Sequence, residues 1–233
     1  MQLRLESRPV GDVLIVQCQG RIVGGNEVFT LHSIVGDSID KYGDVVLQLD
    51  QVEFVDSSGL GALVRLMRAA RSKGGDLKLS GVPPRMRKML ELTKLITQFE
   101  TYDSLEEAIT AAYLGSRYSR AKTGDARPRM LCVFESNDVC TFLREVLCNA
   151  GYNALTTLSV DDARILLKAT KAKLVVVSAR LQFLRGKATR TVLEEIDPAV
   201  SLLVLEENFA TQDPGEAAEK LLSSVGSRLA AVN

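Results

Sequence analysis

The chain has 233 residues, 46% hydrophobic and 25% charged, and its 29 basic and 29 acidic side chains leave a formal net charge of +0. That length suits two domains of roughly 100 residues, each able to bury a core without metal or disulfide support. A zero net charge supplies no global field toward nucleic acid or an anionic membrane, and no apolar run approaches the roughly 20 residues that span a bilayer.

Leu3–Ser7 and Val13–Gln19 flank the turn signal Pro9-Val10-Gly11-Asp12 and predict a β-hairpin. Gly24-Gly25-Asn26 ends the extended segment, with Asn26 as N-cap of a helix carrying Val28, Leu31, Ile34, Val35 and Ile39. Val45–Leu49 reads as a covered strand. Asp56-Ser57-Ser58-Gly59-Leu60-Gly61 then leads into a helix with Leu63, Val64, Leu66 and Met67, stopped by Gly74-Gly75. Asp76–Ser80 is a strand, Pro83 and Pro84 open a helix through Leu92, and a further strand falls near Gln98–Tyr102. Ser104 caps Leu105–Tyr113, with Glu107 completing a capping box. Gly115–Pro128 has few apolar residues, two glycines and several basic side chains, so it reads as an interdomain linker.

The second half restarts a strand–helix rhythm. Strands are expected at Met130–Phe134, Asn153–Leu158, Leu174–Val177 and Val200–Leu205. Helices are expected at Asn137–Ala150, Val160–Ala169 (opened by Ser159), Thr189–Ile196 and Pro214–Leu229. Such alternation predicts a parallel sheet covered on both faces.

The cysteines, Cys18, Cys132, Cys140 and Cys148, form no CxxC pair, and His32 is the one histidine, so no structural zinc or other metal site is expected. The thiols read as small apolar side chains in a reducing compartment. The N-terminus MQLRLESRPVGDV lacks the pattern of a signal peptide, and the expected location is the cytoplasm.

The segment from Val55 to Gly61 carries the most chemistry. A serine at the start of a helix lies at the positive end of its dipole, among unpaired N–H groups, which favours a phosphate once attached. Gly59 and Gly61 each cost up to about 1 kcal/mol in a helix relative to alanine, and close approach by a partner's backbone would offset that loss. The plainer alternative is that Ser57 caps the helix and the glycines permit tight helix–sheet packing. The basic set Arg65, Arg68, Arg71 and Lys73 reads as a solvated helix face or, beside Ser57, as a complement to acidic residues of a partner, and Arg85, Arg87 and Lys88 form a similar patch.

The hexapeptide Asp56–Gly61, the preceding apolar strand and Ser80-Gly81-Val82-Pro83-Pro84 closely resemble the STAS domain of anti-sigma factor antagonists, over about residues 1–113. The resemblance implies a mixed sheet with flanking helices over residues 1–114, followed by a linker at 115–128. It implies a binding protein rather than an enzyme, with no cofactor. Its partners would be an anti-sigma factor that is also a GHKL-type serine kinase, and a serine phosphatase. It carries phosphorylation to Ser57 and partner binding to Val23, Gly24, Gly25, Asn26, Asp56, Ser57, Ser58, Gly59, Leu60 and Gly61. Asp56 would orient the hydroxyl or contact the kinase. Unphosphorylated protein would hold the partner and free a sigma factor; phosphorylated protein would let go. Some relatives of this family act instead as scaffolds of larger assemblies, which is the competing reading.

Residues 129–233 resemble, in their pattern, a response-regulator receiver, a flavodoxin-like parallel sheet here truncated by one strand. The positions of the two metal-binding acids read Phe134 and Glu135, the phosphoacceptor position reads Ser178, and the switch position reads Glu206. Phosphoryl transfer from phosphohistidine needs a carboxylate nucleophile and a divalent metal. The resemblance therefore implies a degenerate receiver used for docking or homodimerisation, with Glu135 and Asp138 in a solvated turn and helix start.

Overall fold

The computed structural model describes residues 2–120, 127–181, 183–184 and 187–230. Two compact units, Met1–Ser119 and Arg120–Asn233, make up the chain.

In the first unit β1 (Arg4–Val10) and β2 (Val13–Ile22) pair antiparallel across Gly11-Asp12. Gly11 adopts φ 61°, as a tight hairpin turn requires. There follow α1 (Asn26–Tyr42), β3 (Asp44–Val55), α2 (Ser57–Ser72), β4 (Leu77–Ser80), α3 (Pro84–Leu92), β5 (Thr101–Tyr102) and α4 (Leu105–Arg120). The strand order is β1-β2-β3-β4-β5, with every pair after the hairpin parallel.

The apolar stripes read from the sequence drive the packing. Leu31, Val35 and Ile39 of α1 and Leu60, Leu63, Leu66 and Met67 of α2 join Leu14, Val16, Cys18, Val45, Leu47 and Leu49 in one core. Residues of opposite strand parity, Ile15 and Val46, are also fully buried, so the sheet is covered on both faces. The Tyr113 hydroxyl on α4 donates to the Val10 carbonyl (2.9 Å) and accepts from the Asp12 N–H (2.7 Å), tying the last helix to the hairpin turn. Ser104 caps α4 as expected, its Oγ accepting from the Glu107 N–H at 3.1 Å.

Three local expectations need correction. Asn26 is the first helical residue rather than the cap; Gly25 holds the N-cap position at φ 103°, and no side chain caps α1. Strand β3 runs to Val55, beyond Leu49, because parallel β2 continues beside it to Ile22. Helix α4 runs to Arg120, beyond Tyr113. One glycine costs a helix only about 1 kcal/mol, and the arginines around it are good helix formers. Residues 121–126 of the expected linker lie outside the described residues.

The second unit runs β6 (Arg129–Val133), α5 (Asn137–Asn149), β7 (Asn153–Thr157), α6 (Val160–Thr170) and β8 (Leu174–Ser178). A 3₁₀ turn at Ala179–Leu181, the short pair β9 (Phe183–Leu184) and β10 (Lys187–Ala188), and α7 (Thr189–Glu194) come next. Then follow β11 (Ser201–Leu205), a second 3₁₀ turn at Glu207–Thr211, and α8 (Pro214–Ala230). Its main sheet has the order β7-β6-β8-β11, all parallel. Cys140, Leu143 and Leu147 of α5 and Ala217, Leu221 and Val225 of α8 share a core with Met130, Cys132, Leu174 and Val176. The alternate strand residues Leu131, Val133, Val175 and Val177 are equally buried, and α6 packs on β6. Ser159 caps α6, accepting from the N–H groups of Asp161 (3.2 Å) and Asp162 (3.4 Å).

Candidate phosphoacceptor and docking site

Because β2 and β3 are parallel neighbours paired as far as Ile22 and Val55, the two segments that leave them emerge side by side at the C-terminal end of these strands. The first is Val23–Asn26; the second is the turn into α2. Asp56 binds them together. Its N–H donates to the Ile22 carbonyl at 3.2 Å. Its Oδ2 accepts from the Gly24 N–H at 3.0 Å, and its Oδ1 accepts from the Gly59 N–H at 2.7 Å. One carboxylate therefore caps α2 and pins the neighbouring loop.

Asp56, not Ser57, is the helix cap. Its two oxygens each accept from a backbone N–H, and the carboxylate, expected to orient the serine hydroxyl or contact the kinase, keeps further acceptor capacity for either role. Donation first from Gly24 and then from Gly59 holds the carboxyl below its ordinary range. A lowered folded-state pKa contributes stability that is present above the unfolded value and is lost as pH falls through the folded one. Asp56→Ala is accordingly expected to lower the melting temperature by a few degrees at neutral pH. The gap from wild type should shrink as pH falls below the ordinary carboxylate range and through the lowered folded-state value, because the wild-type carboxyl then becomes protonated too. Thermal melts of both proteins across that range check this.

Ser57 occupies the first helical position and Ser58 the second, and both side chains are exposed. Gly24 lies against Ser58: a Cβ at Gly24 would come within 3.1 Å of both the Cβ and Oγ of that serine. The two glycines of α2 differ. A Cβ on Gly59 would sit 2.3 Å from the Ile22 carbonyl oxygen and 3.0 Å from Val55 Cγ1, so this glycine serves internal packing. A Cβ on Gly61 would meet only the flexible end of Arg65, at 3.4 Å, so packing inside the unit does not account for it. Leu60 is buried in the core, and Val23, Gly24, Gly25, Asn26, Asp56, Ser57, Ser58 and Gly61 remain at least partly accessible.

Apolar neighbours missed in the sequence border this surface. Phe29, in the first turn of α1, is 72% exposed. Phe54, next to the end of β3, is 45% exposed and has the Arg21 guanidinium over its ring at 5.1 Å. Phe29 stands two residues before Leu31, hence on the opposite side of the helix from the buried stripe; that spacing was a usable signal.

The basic sets divide. Arg71 bonds Asp76 (2.8 Å) and the Gln98 carbonyl (2.9 Å), and Lys73 pairs with Asp40 at 2.8 Å. Arg71 and Lys73 are exposed but paired, and Arg65, Arg68, Arg85 and Lys88 are exposed as well. Arg87 is half-buried and reaches Asp103 at 3.5 Å.

In the second unit Phe134 is buried, its ring 6.2 Å from that of Phe209, which lies 6.3 Å from Phe142. Ser178 ends β8, donates to Glu135 Oε1 at 3.4 Å and accepts from the Arg180 N–H at 3.2 Å. Glu135, Asp138 and Glu206 are exposed, the last at the start of the second 3₁₀ turn. Among the described residues no three His, Cys, Asp or Glu side chains gather in a group that could hold a metal ion. Burial pushes the thiols of Cys18 up to about 12 and of Cys140 up to about 11, so both are unreactive thiols at neutral pH. No helix among the described residues is long and apolar enough to cross a membrane.

Comparison with known proteins bears on the first unit. Residues 4–108 match the family model described as STAS domain. The chain is 32% identical over 66 residues to the anti-sigma F factor antagonist of Paenibacillus polymyxa, a stretch covering 28% of this chain and 56% of that protein. The chain thus spans little more than half the length of that relative. Among solved structures it is similar to an anti-sigma factor antagonist from Mycobacterium paratuberculosis, at 25% identity over 48% of this chain and 94% of that one, with a TM-score of 0.43. It is also similar to an anti-sigma-factor antagonist (STAS) domain protein from Planctomyces limnophilus, at 22% identity over 48% and 98%, with a TM-score of 0.41. The matched family model is that of a STAS domain, and the Paenibacillus polymyxa relative is named an anti-sigma factor antagonist.

Proposed function

We propose that the chain is a cytoplasmic anti-sigma factor antagonist that regulates transcription by partner switching, with Ser57 as its phosphoacceptor. The observation that carries this reading is local. Asp56 fixes the start of α2 and the Val23–Asn26 loop as one rigid surface, and Ser57 stands exposed on it. A partner that is both anti-sigma factor and GHKL-type serine kinase docks there while Ser57 is unmodified, and so releases its sigma factor. Phosphorylation adds roughly −1.5 to −2 charges beside the already ionised Asp56, and burying that charge in the interface is unfavourable. A serine phosphatase restores the binding form. The protein acts by binding, with no reaction of its own.

The second unit is read as a degenerate, flavodoxin-like receiver that serves docking or homodimerisation. The order β7-β6-β8-β11 supports this, since it corresponds to the first four strands of the 2-1-3-4-5 arrangement. Phe134 and Ser178, standing where carboxylates would be needed, argue against aspartyl phosphorylation.

Displacement tests this function. Added to a preformed complex of the anti-sigma factor with its sigma factor, wild-type protein and Ser57→Ala should both liberate the sigma factor. A failure to liberate it, together with sedimentation as a large particle, would favour a scaffold subunit of a bigger signalling assembly.

A further inference from the structure

The sheet of the second unit ends at β11, which is bonded on one side only, to β8. The Ser201 N–H donates to the Lys173 carbonyl at 3.0 Å, so Ser201, Leu203 and Leu205 turn their main-chain groups toward β8. Leu202 and Val204 alternate with them and turn theirs outward. Among the described residues no strand pairs with that outward edge. Open edges are ordinarily blunted by charges, proline or bulges. The sequence Val200-Ser201-Leu202-Leu203-Val204-Leu205 contains no charge and no proline, and its pairing with β8 runs without a register shift. Val204 is also 37% exposed, one of few large apolar side chains left open among the described residues.

We propose that the outward edge of β11 pairs antiparallel with β11 of a second copy of this chain, making one continuous eight-stranded sheet across a two-fold axis. This rests on the reading of the second unit as a homodimerisation element and supplies its contact. A second copy is the occupant the strand itself specifies. With Leu203 on the axis, Leu202 faces Val204 of the partner subunit, and both exchange their outward N–H and C=O groups. Symmetry repeats the exchange, and every outward group of the strand is satisfied at once. In the same register Glu206 falls opposite Val200 of the partner subunit, so no acid faces an acid. Parallel addition of an unrelated strand would leave this symmetry unused.

Sedimentation velocity on the full chain is the test, with wild type, Val204→Pro and Val204→Thr side by side and circular dichroism as a check of folding. Val204→Pro removes one outward N–H without touching a bond to β8, and should raise the dimer dissociation constant by about tenfold or more. Val204→Thr keeps the N–H and should dimerise like wild type. Amide hydrogen exchange on wild type needs no variant. Protection at Leu202 and Val204 should rise with protein concentration, while Leu203, bonded to β8 in either state, stays constant. A wild-type monomer at all concentrations would overturn both the edge and the dimerisation reading. A wild-type dimer with concentration-independent exchange at Leu202 and Val204 would remove β11 from the contact and leave the dimer standing.

Discussion

Phosphorylation of Ser57 should weaken binding to the anti-sigma partner by a factor of hundreds while leaving the stability of the free protein unchanged or slightly raised. The two halves of this result have different causes. In the free protein Ser57 is exposed at the first position of α2, so a phosphate there stays hydrated and meets the favourable end of the helix dipole. In the complex the same phosphate must lose water beside Asp56, whose carboxylate is kept ionised by Gly24 and Gly59. A loss of about 3–4 kcal/mol of binding corresponds to that factor. Ser57→Asp carries one charge rather than nearly two, so it should weaken binding less than phosphate does, and Ser57→Ala should bind as the unmodified protein does. Calorimetric titration of the three forms, with melting curves of each alone, checks both halves.

The second large effect separates two glycines that look alike in the sequence. Gly59→Ala places a Cβ 2.3 Å from the Ile22 carbonyl oxygen, a main-chain atom that cannot swing aside. The helix start must then lift off β2, against the Asp56 bonds that hold it. A loss of about 2–3 kcal/mol is expected, net of the roughly 1 kcal/mol that alanine gains in a helix. Gly61→Ala meets only the end of the Arg65 side chain, so stability should stay level or rise by up to about 1 kcal/mol. Its cost should appear in binding, because a methyl group at this accessible position intrudes on an approaching partner. Denaturant midpoints of both variants, set beside their partner affinities, distinguish the two roles. Equal destabilisation by both would mean that each is a packing residue.

The elements were legible where a stripe or a stop signal was strong. Leu31, Val35 and Ile39 announced α1, Gly74-Gly75 ended α2, and Ser159 opened α6. What escaped was set by neighbours distant in sequence. The extension of β3 to Val55 depends on β2, and within Asp50–Val55 only the short alternation of Val52 and Phe54 with Gln51 and Glu53 announces it. The role of Asp56 is similar: its carboxylate is shared between Gly59, three residues on, and Gly24, thirty-two residues back, and only the parallel register brings Gly24 there. The hexapeptide therefore marked the site in the sequence, but the division of labour between cap and acceptor needed the fold. The β9–β10 pair was missed because two-residue strands carry no periodicity.

The central claim is tested most directly by incubating the purified protein with GHKL-type serine kinases of its own organism and ATP, then locating any phosphate by mass spectrometry, with Ser57→Ala in parallel. The account predicts a single phosphate on Ser57, none on the variant, and release of the kinase as phosphate accumulates. Phosphate elsewhere with Ser57 unmodified, or no modification by any kinase that binds, would contradict it and leave Ser57 an ordinary first residue of α2.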